Sequence, residues 1–328
     1  MDVRLPEALR AAIEALQVES GKQVSRRAAD LSAAYRAMQP SRQTVVDQAD
    51  VAAYLAARMP ATFAAVARVL DEAQTRLPGF SPRTVLDAGA GPGTASWAVA
   101  ALFSDVEAFT LLDHNAGFLD VAGQLAARGA WSALATSERI GGSLTAPPLG
   151  TRRFDLVVTS YALTELPDAE IVGAAVGLWE RCDGALVIVE PGRTRDYQRL
   201  MAVRQALVAA GARMVAPCPH AEGCPLPEDD WCHFSVRLPR SRAHKQAKGA
   251  SLAYEDEKFS YLIVARPALL PRRAMARIVR PQEPKKFEIV LPLCTEAGLE
   301  RRAFAKRDGA HFKVARKLDW GDALEPSS

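Results

Sequence analysis

Three of the chain's five cysteines, Cys218, Cys224 and Cys232, fall within fifteen residues, and Cys294 follows far downstream. Thiols grouped in this way bind soft or borderline metals. In a reducing compartment disulfides are rare, so the grouping points to zinc or an iron-sulfur cluster. Four thiolates suit either centre, and His220 and His233 leave open a zinc site of three thiolates and one imidazole. Pro217, Pro219, Pro225 and Pro227 mark the segment as a loop, which argues against three plain core cysteines. A fourth ligand from Cys294 would pin the C-terminal part onto that loop.

A second constellation is Val85-Leu-Asp-Ala-Gly-Ala-Gly-Pro-Gly-Thr94, an apolar strand ending in Asp87, then Gly89, Gly91 and Gly93, then a helical pattern. Glycines at a strand-to-helix turn let the backbone come close to a ligand. A dinucleotide fold would use the same loop. The acid that ends the strand and Pro92 within the loop make this run resemble motif I of the class I methyltransferases. That resemblance implies S-adenosylmethionine as cofactor, bound by Asp87, Gly89, Gly91 and Gly93. Twenty residues after Gly93, Leu111-Leu-Asp113 ends the next strand with an acid placed to accept ribose hydroxyls, and the resemblance makes Asp113 the ribose ligand.

Methyl transfer from a sulfonium depends mainly on holding the nucleophile in line, with a base needed only for poor nucleophiles. The segment in which to seek such groups is Phe154-Asp-Leu-Val-Val-Thr-Ser-Tyr-Ala-Leu-Thr-Glu-Leu-Pro167, where Ser160, Tyr161 and Glu165 are catalytic candidates. Glu165 reads equally well as the start of a helix. The Asn/Asp-Pro-Pro-Tyr/Phe signature of planar-amine methylation is absent, as is the cysteine pair of cytosine-C5 RNA methyltransferases. Cys182 reads as a core residue on a helix just before the fifth strand. Glu190-Pro-Gly192 ends that strand near the expected active face, and turn formation explains it equally.

The elements that must position these groups fall into three expected regions. Residues 1–80 are helical, with apolar spacing at Leu9, Ile13 and Leu16, at Val51, Tyr54 and Leu55, and at Phe63, Val66 and Leu70, punctuated by Pro40 and Pro60. Residues 81–270 alternate strands with helices, which predicts an α/β fold with a mainly parallel sheet covered on both faces. The strands are 84–86, 108–112, 154–159 and 185–189, with helices near 94–103, 116–128, 168–181 and 195–211 and a late strand at 259–265. A Cys-rich insertion at 214–250 lies within this core. Residues 271–328 form a basic β-rich region with turns at Ala297-Gly298 and Asp308-Gly309.

Charge is unevenly divided. The chain's net charge is +3, but residues 237–317 hold 20 Lys and Arg against 8 Asp and Glu, leaving a net −9 for the rest. Such a segment suits a polyanion, because cations near phosphates release condensed counterions; a solvated basic face is the plainer reading. Arg237, Arg240, Arg242, Lys245 and Lys248 are the candidate RNA contacts, and Trp231 and Tyr254 could stack on bases or pack about the cysteines. The composition is that of a folded globular protein with no membrane span. The acidic residues of MDVRLPEALRAAIEALQ and its lack of an apolar core predict a bacterial cytoplasmic address.

Four runs together carry a closer likeness: Cys218-Pro-His with Cys224-Pro and Trp231-Cys-His-Phe234; Arg242-Ala-His-Lys245; Tyr254-Glu-Asp-Glu-Lys-Phe-Ser-Tyr261; and Ala315-Arg-Lys-Leu-Asp-Trp-Gly-Asp322. From about residue 30 to 322 the chain resembles the methyltransferase-like proteins associated with the mitochondrial small ribosomal subunit, and their bacterial relatives. The resemblance implies a class I, Rossmann-like methyltransferase sheet and a [4Fe-4S] cluster on Cys218, Cys224, Cys232 and Cys294, with zinc as the alternative metal. It implies small-subunit rRNA and proteins as partners during ribosome assembly. The functional expectation is a methyltransferase-like protein acting on or binding that rRNA. A non-catalytic assembly factor and a zinc-containing small-molecule methyltransferase are the alternatives, and a monomer is the default.

Overall fold

The computed structural model describes residues 3–20, 48–240, 245 and 251–325. The N-terminal part contributes α1 (Glu7–Ser20), α2 (Gln48–Ala57) and α3 (Met59–Arg76). Pro60 stands in the first turn of α3, where its missing N–H costs nothing, so it begins the helix. Phe63, Val66 and Leu70 fall on one face of α3 and are buried against the sheet, each contributing roughly 1.5–3 kcal/mol. The expected break at Pro40, with residues 21–47, lies outside the described residues.

The core then runs β1 (Thr84–Ala88), α4 (Thr94–Leu102), β2 (Ala108–Asp113), α5 (Ala116–Ala126), α6 (Ser132–Ala135), β3 (Glu138–Gly141), β4 (Phe154–Ser160), α7 (Asp168–Glu180), β5 (Cys182–Pro191), α8 (Thr194–Ala209), β6 (Arg213–Ala216), β7 (Phe234–Pro239) and β8 (Tyr254–Ala265). The sheet order is β3-β2-β1-β4-β5-β8-β6, with β7 also paired to β8. β1 to β5 are parallel, whereas β8 enters antiparallel to β5, β6 and β7. This is a Rossmann-like α/β sheet. α3 and α4 belong to the core on one face, α7 and α8 to the core on the other. Burial on both faces is why the central strands read as continuous apolar runs.

β8 shows how neighbours decide exposure. Its second half, Phe259 to Ala265, lies beside β5 and is buried throughout, whereas Tyr254 to Lys258 pairs with β7 and alternates. A second, antiparallel sheet follows: β9 (Ala276–Ile278), β10 (Glu283–Pro284), β11 (Glu288–Thr295), β12 (Gly298–Ala305) and, after α9 (Ala310–Ala315), β13 (Ala323–Leu324). Ile278, Ile289, Leu291, Leu293, Ala315 and Leu324 form its small core.

Three readings differ in detail. Cys182 is core, fully buried, but it opens β5 and is not on a helix. The short β3 was not anticipated, because Glu138 and Arg139 hide its strand pattern at the sheet's edge. α9 interrupts a stretch expected to be β throughout.

Candidate cofactor and metal sites

At the carboxyl ends of the parallel strands, β1 delivers Asp87 into the interior. Its Oδ2 accepts hydrogen bonds from the Ser96 N–H (2.9 Å) and hydroxyl (2.7 Å), fixing the first turn of α4. Burial pushes this carboxyl up to about 6 despite those bonds, and Oδ1 has no partner among the described residues. Gly89, Gly91 and Gly93 all have positive φ, at 75°, 53° and 82°. A Cβ on Gly89 would stand 2.3 Å from the Ala162 Cβ, so only glycine fits there; one on Gly91 would meet nothing within 4 Å. The loop therefore keeps an open face at Gly91.

Asp113 closes the other side. Its carboxylate accepts the Gly91 N–H at 2.7 Å and the Asn115 N–H at 2.8 Å, tying the end of β2 to the glycine loop and to the start of α5. Leu112 O accepts the N–H groups of Gly89 and Ala90. All five sequence-derived cofactor residues thus meet in one loop pair. What remains open to a ligand is the Gly91 face, and the buried Asp87 Oδ1 is the loop's unpaired acceptor.

The N-terminal helices roof this region. The Tyr54 ring of α2 packs on Phe118 of α5 with centroids 5.0 Å apart. Arg58 faces Glu257 of β8 at 3.9 Å, and the Tyr161 hydroxyl donates to the same Glu257 oxygen at 2.9 Å. Tyr161 carries φ 55°, unusual for a bulky residue, directly after β4. Burial, then Glu257, pushes its phenol well above the ordinary range, so it stays protonated and acts as a donor. Ser160 is half-buried at the end of β4, and Glu165 ends the 3-10 turn Leu163–Glu165 and does not start a helix. Glu190 accepts the N–H groups of Leu163 and Thr164 at 3.1 and 3.0 Å, and burial followed by Asp196 raises its carboxyl well above the usual range. Arg58 and Glu257 escaped sequence reasoning, although Glu257 lies in one of the four diagnostic runs.

The cysteines form a second constellation, beside the buried half of β8. Cys218, Cys224, Cys232 and Cys294 all line one cavity, with about 470 Å³ of empty space partly open to solvent, beside Tyr197 and Arg277. None is in a disulfide. The Tyr197 hydroxyl lies 3.0 Å from Cys224 Sγ, and His220 Nε2 lies 3.5 Å from Cys294 Sγ. Burial raises the thiols of Cys218, Cys232 and Cys294, and the neighbouring cysteines raise them further; Cys294 is pushed up to about 12. Four ionised thiols in this space would need added positive charge, which is the donor chemistry of a metal centre. Among the described residues, no group of three or more His, Cys, Asp or Glu side chains is arranged so as to hold a metal ion.

The loop that carries three of these thiols is held by its backbone. Arg204 donates to His220 O at 2.9 Å, Arg277 to Pro217 O at 3.1 Å and Ser260 to Cys232 O at 3.0 Å. Trp231 donates to Gly192 O at 3.1 Å and stacks on His233, which meets Trp320 edge-on at 4.4 Å. Arg277 also bonds Gly321 O and Glu72, so one buried guanidinium joins α3, the cysteine loop and the second sheet. β11 brings Cys294 into the cavity from that second sheet.

The candidate RNA contacts are partly committed elsewhere. Arg237 makes a two-bonded ion pair with Asp256 at 2.7 and 2.8 Å and lies 4.1 Å over the Tyr254 ring, and Arg240 meets Glu255 at 3.3 Å. Lys245 is half-buried. Arg242 and Lys248 lie outside the described residues.

A family model described as mitochondrial small ribosomal subunit Rsm22 matches residues 48–325. The human ribosome assembly protein METTL17, mitochondrial, is 29% identical over 288 residues, covering 83% of this chain and 61% of that protein. The Rsm22-cox11 tandem protein 2, mitochondrial, of Schizosaccharomyces pombe is 23% identical over 337 residues, covering 86% of this chain and 44% of that one. The chain thus spans between about two fifths and three fifths of these relatives. Among solved structures, magnesium protoporphyrin IX methyltransferase from Synechocystis with bound SAM superposes at TM-score 0.39 and 18% identity, over 64% of this chain and 84% of that one. The N-methyltransferase NodS from Bradyrhizobium japonicum with S-adenosylhomocysteine gives 0.40 and 16%, over 61% and 86%. The order and direction of the strands, not these distant superpositions, carry the fold assignment. The expected cytoplasmic address is overturned: the family description and the relatives' names are mitochondrial, and the charge pattern of the N-terminal residues did not discriminate. With the match running through the glycine loop, the cysteine cavity and the second sheet, the chain belongs to the Rsm22 family.

Proposed function

We propose that this protein is a methyltransferase-like small-subunit ribosome assembly factor that binds S-adenosylmethionine on its glycine loop as methyl donor and holds its RNA-facing C-terminal part through a four-cysteine metal centre. The observation that carries the reading is the family match over residues 48–325, which includes all nine cofactor and metal candidates. In the cofactor site, the open face at Gly91 is where the ligand would settle, with Asp113 beside it for the ribose and the buried Asp87 shaping the loop from beneath. Asp87, Gly89, Gly91 and Gly93 shape the loop, and Asp113 holds it from the side.

Cys218, Cys224, Cys232 and Cys294 would hold the metal centre. Three thiols from one loop and a fourth from β11 around one cavity suit either a [4Fe-4S] cluster, with one cysteine per iron, or a single zinc ion, and the resemblance to the ribosome-associated methyltransferase-like family favours the cluster. When bound, the cluster supplies the positive charge that lets the thiols ionise. The chain's own residues do the rest: Arg204, Arg277 and Ser260 fix the loop's carbonyls, and β11 presents Cys294. Protein purified without oxygen should be brown, with about four irons per chain. A colourless preparation with stoichiometric zinc refutes the cluster.

Assembly without methyl transfer is the second reading, and a specific observation favours it. Tyr161 is protonated and bonded to Glu257, Glu190 is engaged by two backbone N–H groups, and α2 roofs the region. Calorimetry with S-adenosylmethionine, paired with a tritiated-methyl assay on assembling small subunits, separates the two. Cofactor binding with no transfer selects the scaffold. The zinc-containing small-molecule methyltransferase is disfavoured by 20 basic against 8 acidic residues over 237–317.

A further inference from the structure

The second sheet offers a surface that neither the glycine loop nor the cysteine cavity uses. Phe287, between β10 and β11, is 63% exposed. The Lys286 ammonium lies 5.1 Å from its ring centroid and that of Lys306 lies 5.7 Å away. The Lys306 N–H donates to Phe287 O at 2.8 Å, continuing the β11–β12 ladder past Glu288 and Ala305 and holding the two residues side by side. Arg307 follows directly, and α9, which carries Lys313, packs on β11 and β12. Lys286, Lys306, Arg307 and Lys313 are exposed and form no ion pair among the described residues, unlike Arg237 and Arg240.

We propose that Phe287, flanked by Lys286 and Lys306, is a stacking platform for a base of single-stranded RNA, with Arg307 receiving the adjoining phosphate. An exposed ring offers a face on which any base can stack when the lysine ammonium groups now lying over it turn outward, where they grip the backbone phosphates on either side. A duplex keeps its base faces covered and cannot use such a ring. A membrane surface would need an apolar stripe along a helix, whereas α9 places exposed Lys313 beside Val314 and turns Phe312 toward the sheet core. The proposal rests on the reading of the chain as an RNA-facing assembly protein and specifies where that contact is made.

The test is fluorescence anisotropy on the full chain with a labelled uridine dodecamer, a duplex RNA of equal length and phosphatidylglycerol vesicles. Phe287→Ala should weaken dodecamer binding about tenfold with the salt slope kept, leave duplex binding unchanged and be rescued by Phe287→Trp. Lys286→Gln/Lys306→Gln should lower the magnitude of the salt slope by about 1.4. Because Phe287 is exposed, the unfolding temperature of Phe287→Ala should match the parent's. If Phe287→Ala binds the dodecamer as the parent does, the platform is wrong while the RNA-facing reading stands. A parent that binds neither RNA at low salt overturns both. Vesicle binding that exceeds RNA binding and is lost in Phe287→Ala replaces RNA with a membrane and overturns the proposal.

Discussion

Cys218, on the loop after β6, and Cys294, on β11, line the same cavity, so neither substitution is milder in principle. Cys294→Ser is expected to lose metal and thermal stability to the same extent as Cys218→Ser, measured by iron content and calorimetry under nitrogen; full metal retention in Cys294→Ser would show that it is no ligand. Glu72 gives a pH signature. Burial raises its carboxyl, but Arg277 and Arg76 outweigh burial and hold it at about 2, against an ordinary 4.5. A depressed folded pKa stabilises the protein above the unfolded value, and that stability is lost as pH falls from 4.5 toward 2. The contribution at neutral pH is on the order of 3 kcal/mol. Glu72→Gln should therefore lower urea stability at pH 7 by an amount of that order, with the gap to the parent narrowing as pH falls through that window. A gap independent of pH would assign the loss to packing instead. Cys218, Asp87 and Asp113 were legible as single residues because thiols and acids at those spacings have few other uses. Arg277 was not, since a lone arginine in a basic stretch shows nothing of the carboxylate and carbonyls it meets across the fold.

Among the elements, the strand-loop-helix unit around β1 is the most completely determined by its local residues. Gly89 and Gly91 both need positive φ, yet only Gly89 is crowded, by Ala162. Gly89→Ala should cost roughly 1–3 kcal/mol of stability and abolish cofactor binding, whereas Gly91→Ala should cost about 1 kcal/mol and act mainly on affinity. Urea denaturation and calorimetric titration check both, and equal stability losses would contradict the crowding argument. Apart from β3 and the four-residue α6, the helices and parallel strands of 81–211 were readable because their periodicities are long and both sheet faces are buried. β6 and β7 were not, for they sit in the stretch read as the Cys-rich insertion and become strands by pairing with β8. Exposure along β8 itself depends on which neighbour each half finds.

In the whole molecule, the cysteine cavity sits where the two sheets meet, and Trp320, Arg277 and Cys294 cross that junction. Stripping the proposed metal centre with an oxygen-free chelator should raise hydrogen exchange in residues 217–233 and in β11, while β1, β2 and β4 stay protected. A uniform rise across both sheets would mean that the centre supports the entire fold. The basic excess of 237–317 was visible in composition, but only the fold shows that Arg237 and Arg240 are neutralised across the β7–β8 hairpin while Lys286, Lys306 and Arg307 are not. The residues alone determined the local chemistry: the acid and glycines that a cofactor turn requires, the grouped thiols and the sign of the C-terminal third. Tertiary structure alone decided that Glu72 shares a buried site with Arg277 and that Phe287 faces open solvent, and it placed the anticipated Cys294 on the cavity of the loop cysteines. Strand register and inter-sheet contact set those distances, and both arise from pairings between residues far apart in the chain.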